Sequence, residues 1–219
     1  MSLPIYELKI NASLQDDSMV DYVALVDAPA IQKDFLAFND ELLSPKKDRF
    51  QIVSEDQHII SGALMVADQL IYRNNETFGE HYVKFSAQTI KEIAIKFAKK
   101  KFQNNVNLMH DTNQKVDGVT MFESFIVDKS RGIMPMKGFE DIADGSWFGS
   151  FYVENNDVWE SIKSGEYKGF SVEGLFDYNA PITENQNTLN ELSKLINSMN
   201  EDSFKDDILK IQGILKELN

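Results

Sequence analysis

The chain has no cysteine, which removes disulfides, thiol nucleophiles and thiolate metal sites together. It holds three histidines, His58, His81 and His110, and three arginines, Arg49, Arg73 and Arg131, so imidazole and guanidinium chemistry each have few carriers. No H-E-x-x-H motif is present, and three scattered histidines make no metal-ligand set. No metal and no cofactor is expected. Cationic charge is also scarce: 22 Lys and Arg face 35 Asp and Glu, a formal net charge of −13. Binding a phosphate backbone needs a positive footprint, so nucleic acid is not an expected partner. The one dense basic run, Lys99-Lys100-Lys101, falls where a helix should end and offsets the negative end of its dipole. No apolar run nears the ~18 residues that a membrane span takes. Met1-Ser2-Leu3-Pro4 lacks the basic and apolar regions of a signal peptide, so the expectation is a protein that stays in its compartment of synthesis, away from membranes.

What is present suits a folded core. Hydrophobic residues make up 42% and aromatic residues 11% of the chain, as in ordinary globular domains, and 219 residues allow one main domain with an appendage. Alternating apolar residues over 5–10 and 20–26 predict two half-buried strands, placed as an antiparallel pair. Further strands are expected at 50–53, 58–66, 71–72, 82–85, 106–111, 116–127 and 147–153. Ser86 is a candidate N-cap for a helix whose apolar face is Ile90, Ile93, Ala94, Phe97 and Ala98. A shorter helix over 155–164 carries Val158, Trp159 and Ile162. The passages 39–48 and 128–145 read as surface loops, the second a mobile one. Residues 179–187 are rich in turn formers and read as a linker. Beyond them Thr188 and Glu191 form a capping box. Leu189, Leu192, Ile196 and Met199, then Ile208, Ile211, Leu215 and Leu218, give two short amphipathic helices that need a partner surface. The expected organisation is a main domain over 1–178, a linker over 179–187 and a helical tail over 188–219.

One segment stands apart. Gly169-Phe170-Ser171-Val172-Glu173-Gly174 places a serine between glycines in a strand-like run, and glycines let a second backbone approach the hydroxyl because no Cβ intervenes. A serine hydroxyl acts as a nucleophile at neutral pH only when a base takes its proton. All three histidines precede Ser171, whereas α/β-hydrolases run serine, acid, histidine and carry a G-x-S-x-G elbow. The glycine spacing here is one residue longer, which excludes that fold. His58, beside Ile59-Ile60, and His81, at a turn, read as structural. His110 ends the strand that carries Val106 and Leu108 on one face, next to the polar turn Asp111-Thr112-Asn113-Gln114. An imidazole there can serve as a general base, although spacing alone leaves a hydrogen-bonded structural role open too.

The run Asn104-Asn105-Val106-Asn107-Leu108-Met109-His110-Asp111, then Val116-Asp117-Gly118-Val119, Glu123-Ser124-Phe125-Ile126-Val127 and Gly145-Ser146-Trp147, and finally Val158-Trp159-Glu160-Ser161-Ile162-Lys163-Ser164-Gly165-Glu166-Tyr167-Lys168-Gly169-Phe170-Ser171-Val172-Glu173-Gly174, resembles the phage serine proteases of the prohead, or head-maturation, class. Those are related in turn to the herpesvirus assemblin fold. Similar stretches at 24–31 and 58–65 extend the likeness over roughly residues 20–178. The resemblance implies an α+β fold, a small and mostly antiparallel β-barrel flanked by helices. It implies a serine endopeptidase that cleaves scaffold and major capsid precursor proteins inside the assembling prohead, in the bacterial host cytoplasm, and it suggests a homodimer.

By the same resemblance His110 is the base and Ser171 the nucleophile, on neighbouring strands. Assemblins carry a second histidine and a helpful arginine after the serine; neither follows Ser171 here, so an acidic residue must orient His110. Glu123 is the first choice, because it shares a strand face with Val119, Met121, Phe125 and Val127, where a lone carboxylate is costly. Glu173, on the same side of its strand as Ser171, is the alternative. The 128–145 loop is expected to cover the cleft, with Arg131 a candidate for the missing positive charge. A second reading keeps the fold without efficient chemistry: an assembly protein that docks on scaffold or capsid through its terminal helices.

Overall fold

The computed structural model describes residues 3–27, 50–55 and 57–180, with 192–193, 195–196, 207–208 and 210–212 near the C-terminus. Those C-terminal fragments are helical and fall within the two stretches read as amphipathic helices. The 39–48 loop, residues 181–187 of the linker and the rest of the tail lie outside the described residues.

Twelve strands among the described residues form three four-stranded sheets. The first, ordered β12-β1-β6-β5, contains Asp177–Tyr178, Ile5–Lys9, Gly79–Lys84 and Ile71–Asn75. The second, β3-β4-β10-β9, contains Gln51–Ser54, Ile59–Met65, Trp147–Val153 and Val119–Ile126. The third, β11-β2-β7-β8, contains Gly169–Leu175, Met19–Val26, Val106–Leu108 and Asp111–Lys115. With the helices α1, Ala87–Lys100, and α2, Asn156–Ser164, the class is α+β. The sheets are open; among the described residues the strands do not close into the expected barrel, because each sheet ends on strands with a single partner.

β1 and β2 are not the antiparallel pair that their alternation predicts. β1 runs parallel to β6, and β2 lies between β11 and β7. The reason is visible in the link between them. Lys96 on α1 is only 2% exposed, and its Nζ donates to the carbonyls of Asn11, Asp16 and Ser18 at 2.8, 2.9 and 2.8 Å. A buried ammonium is tolerable only when its donors are used, and three carbonyls converging on it draw the β1–β2 link over the helix and into another sheet. On the same helix Ile90, Ile93 and Phe97 are buried as expected, whereas Ala98 is exposed and Lys96 takes the buried place. Ser86 caps α1 by accepting from Thr89 N–H, which satisfies one of the unpaired donors of the first turn.

The main core packs Val23, Leu25, Ile60, Ile90, Phe97, Val106, Trp147 and Phe151 between sheets and helix. A second cluster holds the 128–145 passage. Phe139 and Ile142 are buried against Phe148, Val127 and Ala63, so burial of two large apolar side chains fastens this passage instead of leaving it a mobile loop.

Candidate active site

β11 follows α2, whose last turn ends on Gly165 in the left-handed region. In the third sheet Ser171 stands opposite Ala24 of β2, and Ala24 opposite Asn107 of β7. Side chains two apart on a strand share a face, so Ser171 and Glu173 project together. Just past them the ladder slips: Glu173 faces Tyr22 while Gly174 faces Val20, leaving Asp21 as the extra residue of a bulge. The bulge brings the Met19 carbonyl oxygen against Gly174, where any Cβ would collide with it. The second glycine of the motif is therefore required by packing between strands.

His110 does not end a strand. Leu108 pairs with Asp111, and Met109 and His110 form the two-residue hairpin turn between β7 and β8, with φ of 52° and 61°. Both sit in the left-handed region, the pattern of a type I′ turn, which favours Asn and Gly. The turn carries the cost of two non-glycine residues there and projects His110 beside β11. The expected polar turn at 111–114 is instead part of strand β8.

His110 Nδ1 and Glu173 Oε1 are 2.7 Å apart. Asn107 Nδ2 donates to the same Oε1 at 3.1 Å. The His110 side chain is 42% exposed and that of Glu173 18%, so a shielded carboxylate holds one nitrogen of an accessible imidazole. With Nδ1–H donating to Glu173, Nε2 keeps its lone pair for proton transfer. Nearby, burial first and the Glu173 carboxylate second push Asp21 above the ordinary aspartate range.

His110, Ser171 and Glu173 line one cleft of about 630 Å³. Its other walls are mostly apolar: Leu64, Met65 and Val66 at the end of β4, Ile71 of β5, Phe85, Phe170 and Phe176. Arg73 and Tyr178 supply polar atoms. Ser171 is 9% exposed, recessed in the wall.

Glu123, the first choice for an orienting acid, stands elsewhere. It is opposite Ser150 on β10 and accepts from its hydroxyl at 2.6 Å, while Ser61 on β4 donates to Ser150 at 2.8 Å. Arg131 is engaged by Asp128 at 2.6 Å, outside the cleft lining. Hydrogen bonds from Ser130 and Arg131 bring the Asp128 carboxyl down to about 2. The 128–145 passage contributes nothing to that lining. His58 stacks on Trp159 with Nδ1 3.0 Å from the Val153 carbonyl oxygen. His81 is fully buried, with Nδ1 2.8 Å from the Gly79 carbonyl oxygen. Sequence reasoning passed over Asn107, Asp21 and Arg73. Only Asn107 carried a signal, as an amide set between two apolar residues of a strand.

Family membership supplies the class: the model of a phage serine protease family matches residues 49–179, a span that includes His110, Ser171 and Glu173. That family is described as "Putative phage serine protease XkdF", and the chain belongs to it. No curated protein and no solved structure matches the chain.

Proposed function

We propose that the protein is a serine endopeptidase in which Ser171 is the nucleophile, His110 the base and Glu173 the acid that orients it. The observation that carries this reading is the placement of all three residues on one cleft, with His110 Nδ1 2.7 Å from the Glu173 carboxylate. His110 Nε2 takes the Ser171 hydroxyl proton as Oγ bonds to the peptide carbonyl carbon. The same proton then passes to the leaving amine as the C–N bond breaks, giving an acyl-enzyme. Water attacks the acyl carbon, giving its proton to His110, which returns it to Ser171 as the ester breaks. Backbone N–H groups near Ser171 are the proposed oxyanion donors.

The strand that bears the serine supports a peptide substrate. Among the described residues β11 pairs with β2 alone, and an edge strand can take an extended segment through its outward backbone groups. By resemblance, the substrates are scaffold and major capsid precursors in an assembling phage head, and the assemblin relation carries the suggestion of a dimer.

The test is covalent labelling of the full chain by a serine-directed fluorophosphonate. We expect wild type to label at Ser171, with labelling lost in Ser171→Ala and strongly slowed in His110→Ala. A folded wild type that neither labels nor cuts capsid precursor would overturn the protease reading and leave the assembly-protein reading standing.

A further inference from the structure

Asn107 lies in the middle of β7 with no exposed surface, between Val106 and Leu108. A buried amide is costly unless it is bonded; here its Nδ2 is spent on the acid of the candidate site, while its Oδ1 is buried without a partner among the described residues. Glu173 Oε1 receives Asn107 Nδ2 at 3.1 Å and meets His110 Nδ1 at 2.7 Å. The reach is possible because Ala24, which separates Asn107 from the β11 strand in the register, has only a methyl group. A flipped amide would set Oδ1 against the carboxylate, acceptor against acceptor, so the electrostatics fix which end faces Glu173.

We propose that Asn107 is a positioning residue of the Ser171–His110–Glu173 site, holding the Glu173 carboxylate so that Oε1 meets Nδ1 of His110 and sets the imidazole tautomer. The inference rests on the proposed function for its catalytic meaning, but not for its geometry. Terminal torsions of glutamate are soft and roughly two-fold, and Glu173 sits beside a bulge whose extra residue, Asp21, carries a second carboxylate close enough to feel its charge. His110 rides on a two-residue turn. Of the groups touching that carboxylate, Asn107 is the one with its side chain enclosed on every side, so it is the fixed point against which the other two are aligned.

Two readouts on the full chain test this: the His110 tautomer from ring ¹⁵N shifts, and the rate of fluorophosphonate labelling. In wild type, His110 should be the Nδ1–H form. In Asn107→Leu, which keeps the branched shape with somewhat larger ends and removes the donor, the population should move toward Nε2–H and labelling should fall about 10- to 100-fold, the scale seen when outer-shell partners of metal-bound histidines are removed. Asn107→Asp should lose at least as much, because two carboxylates then face each other. Should the Leu variant not fold, Asn107→Ala is read in the same way. An amide with a purely packing role predicts a folded Leu variant with wild-type tautomer and labelling rate, and that result overturns the proposal. So does a wild-type His110 in the Nε2–H form. A wild type that never labels, but whose tautomer depends on Asn107, upholds the positioning and removes the protease reading.

Discussion

At the scale of single residues, two glutamates can be ranked by what they touch. Glu173 faces an imidazole nitrogen, whereas Glu123 is satisfied by Ser150. Glu173→Gln would present either an amide donor to Nδ1 or a neutral acceptor, weakening the hold on the tautomer that leaves Nε2 basic. We expect labelling of Ser171 to fall by about 10²- to 10⁴-fold, in line with the loss of an orienting carboxylate, with Glu123→Gln close to wild type; fluorophosphonate kinetics on both variants measures the contrast. Asp21 gives a pH prediction. Its folded value is raised, by burial first and by Glu173, so the folded state binds the Asp21 proton more tightly than the unfolded chain does. The resulting penalty is fully present at neutral pH and is relieved as pH falls through the raised value toward the ordinary ~3.9. Asp21→Asn should therefore stabilise the protein at pH 7, with the advantage shrinking on acidification across that window, as urea titrations at pH 7 and 4.5 would show. Ser171 and His110 were legible through the motif and its resemblance to a family. Glu173 was visible only as sharing a side with Ser171, by the two-residue period of a strand. Glu123 looked costly because strict alternation along β9 puts it on the face of Met121, but the register slips between Met121 and Glu123, and the carboxylate ends exposed beside the Ser150 hydroxyl, which no local pattern of β9 displays.

At the scale of elements, the bulge on β2 and Gly174 opposite it act as one unit. A methyl group at position 174 would press on the Met19 carbonyl oxygen, and backbone cannot swing aside as a side-chain tip can. Gly174→Ala should cost about 1–3 kcal/mol, the usual range for an overpacked site, read from urea unfolding. It should also slow labelling, because the strand displaced is the one carrying Glu173. The β7–β8 turn was not legible: Met109-His110 contains no glycine or asparagine, and the tertiary ladder on either side imposes the left-handed conformation against local preference. The 128–145 passage misled for a related reason. Its Gly, Lys and Asp content signals a loop, but Phe139 and Ile142 find a pocket on β10 and β4 that only the assembled sheet provides. Helices were read better, since their signals are local: Ser86 caps α1 as expected, and α2 starts within a residue of the expected 155, with Asn155 as its cap.

At the scale of the whole molecule, the cleft exists only where the three sheets meet: β11 from one, the end of β4 from another, and β5 with Tyr178 from the third. Apolar side chains and polar atoms share its lining, and the apolar part suits a substrate that inserts a bulky apolar side chain, worth up to about 1.5–3 kcal/mol on full burial. In cleavage of a randomised peptide library read by mass spectrometry, Leu, Ile, Met or Phe should be enriched about tenfold or more over charged residues at one position near the cut; an even distribution would rule out this role for the cleft. The edge position of β11 bears on how such a reaction finishes. Ser171 is the third of the seven residues of that strand, so a cut opposite it splits the substrate's ladder into a short arm along Gly169 and Phe170 and a longer one along 172–175. A single chain loses its freedom of movement once for the whole ladder, but two fragments must each lose it separately. On the proposed reading, the fragment bearing the new amine is free to leave as soon as the C–N bond breaks, and the fragment held as the ester follows once water releases it, each by then gripped by only part of the ladder.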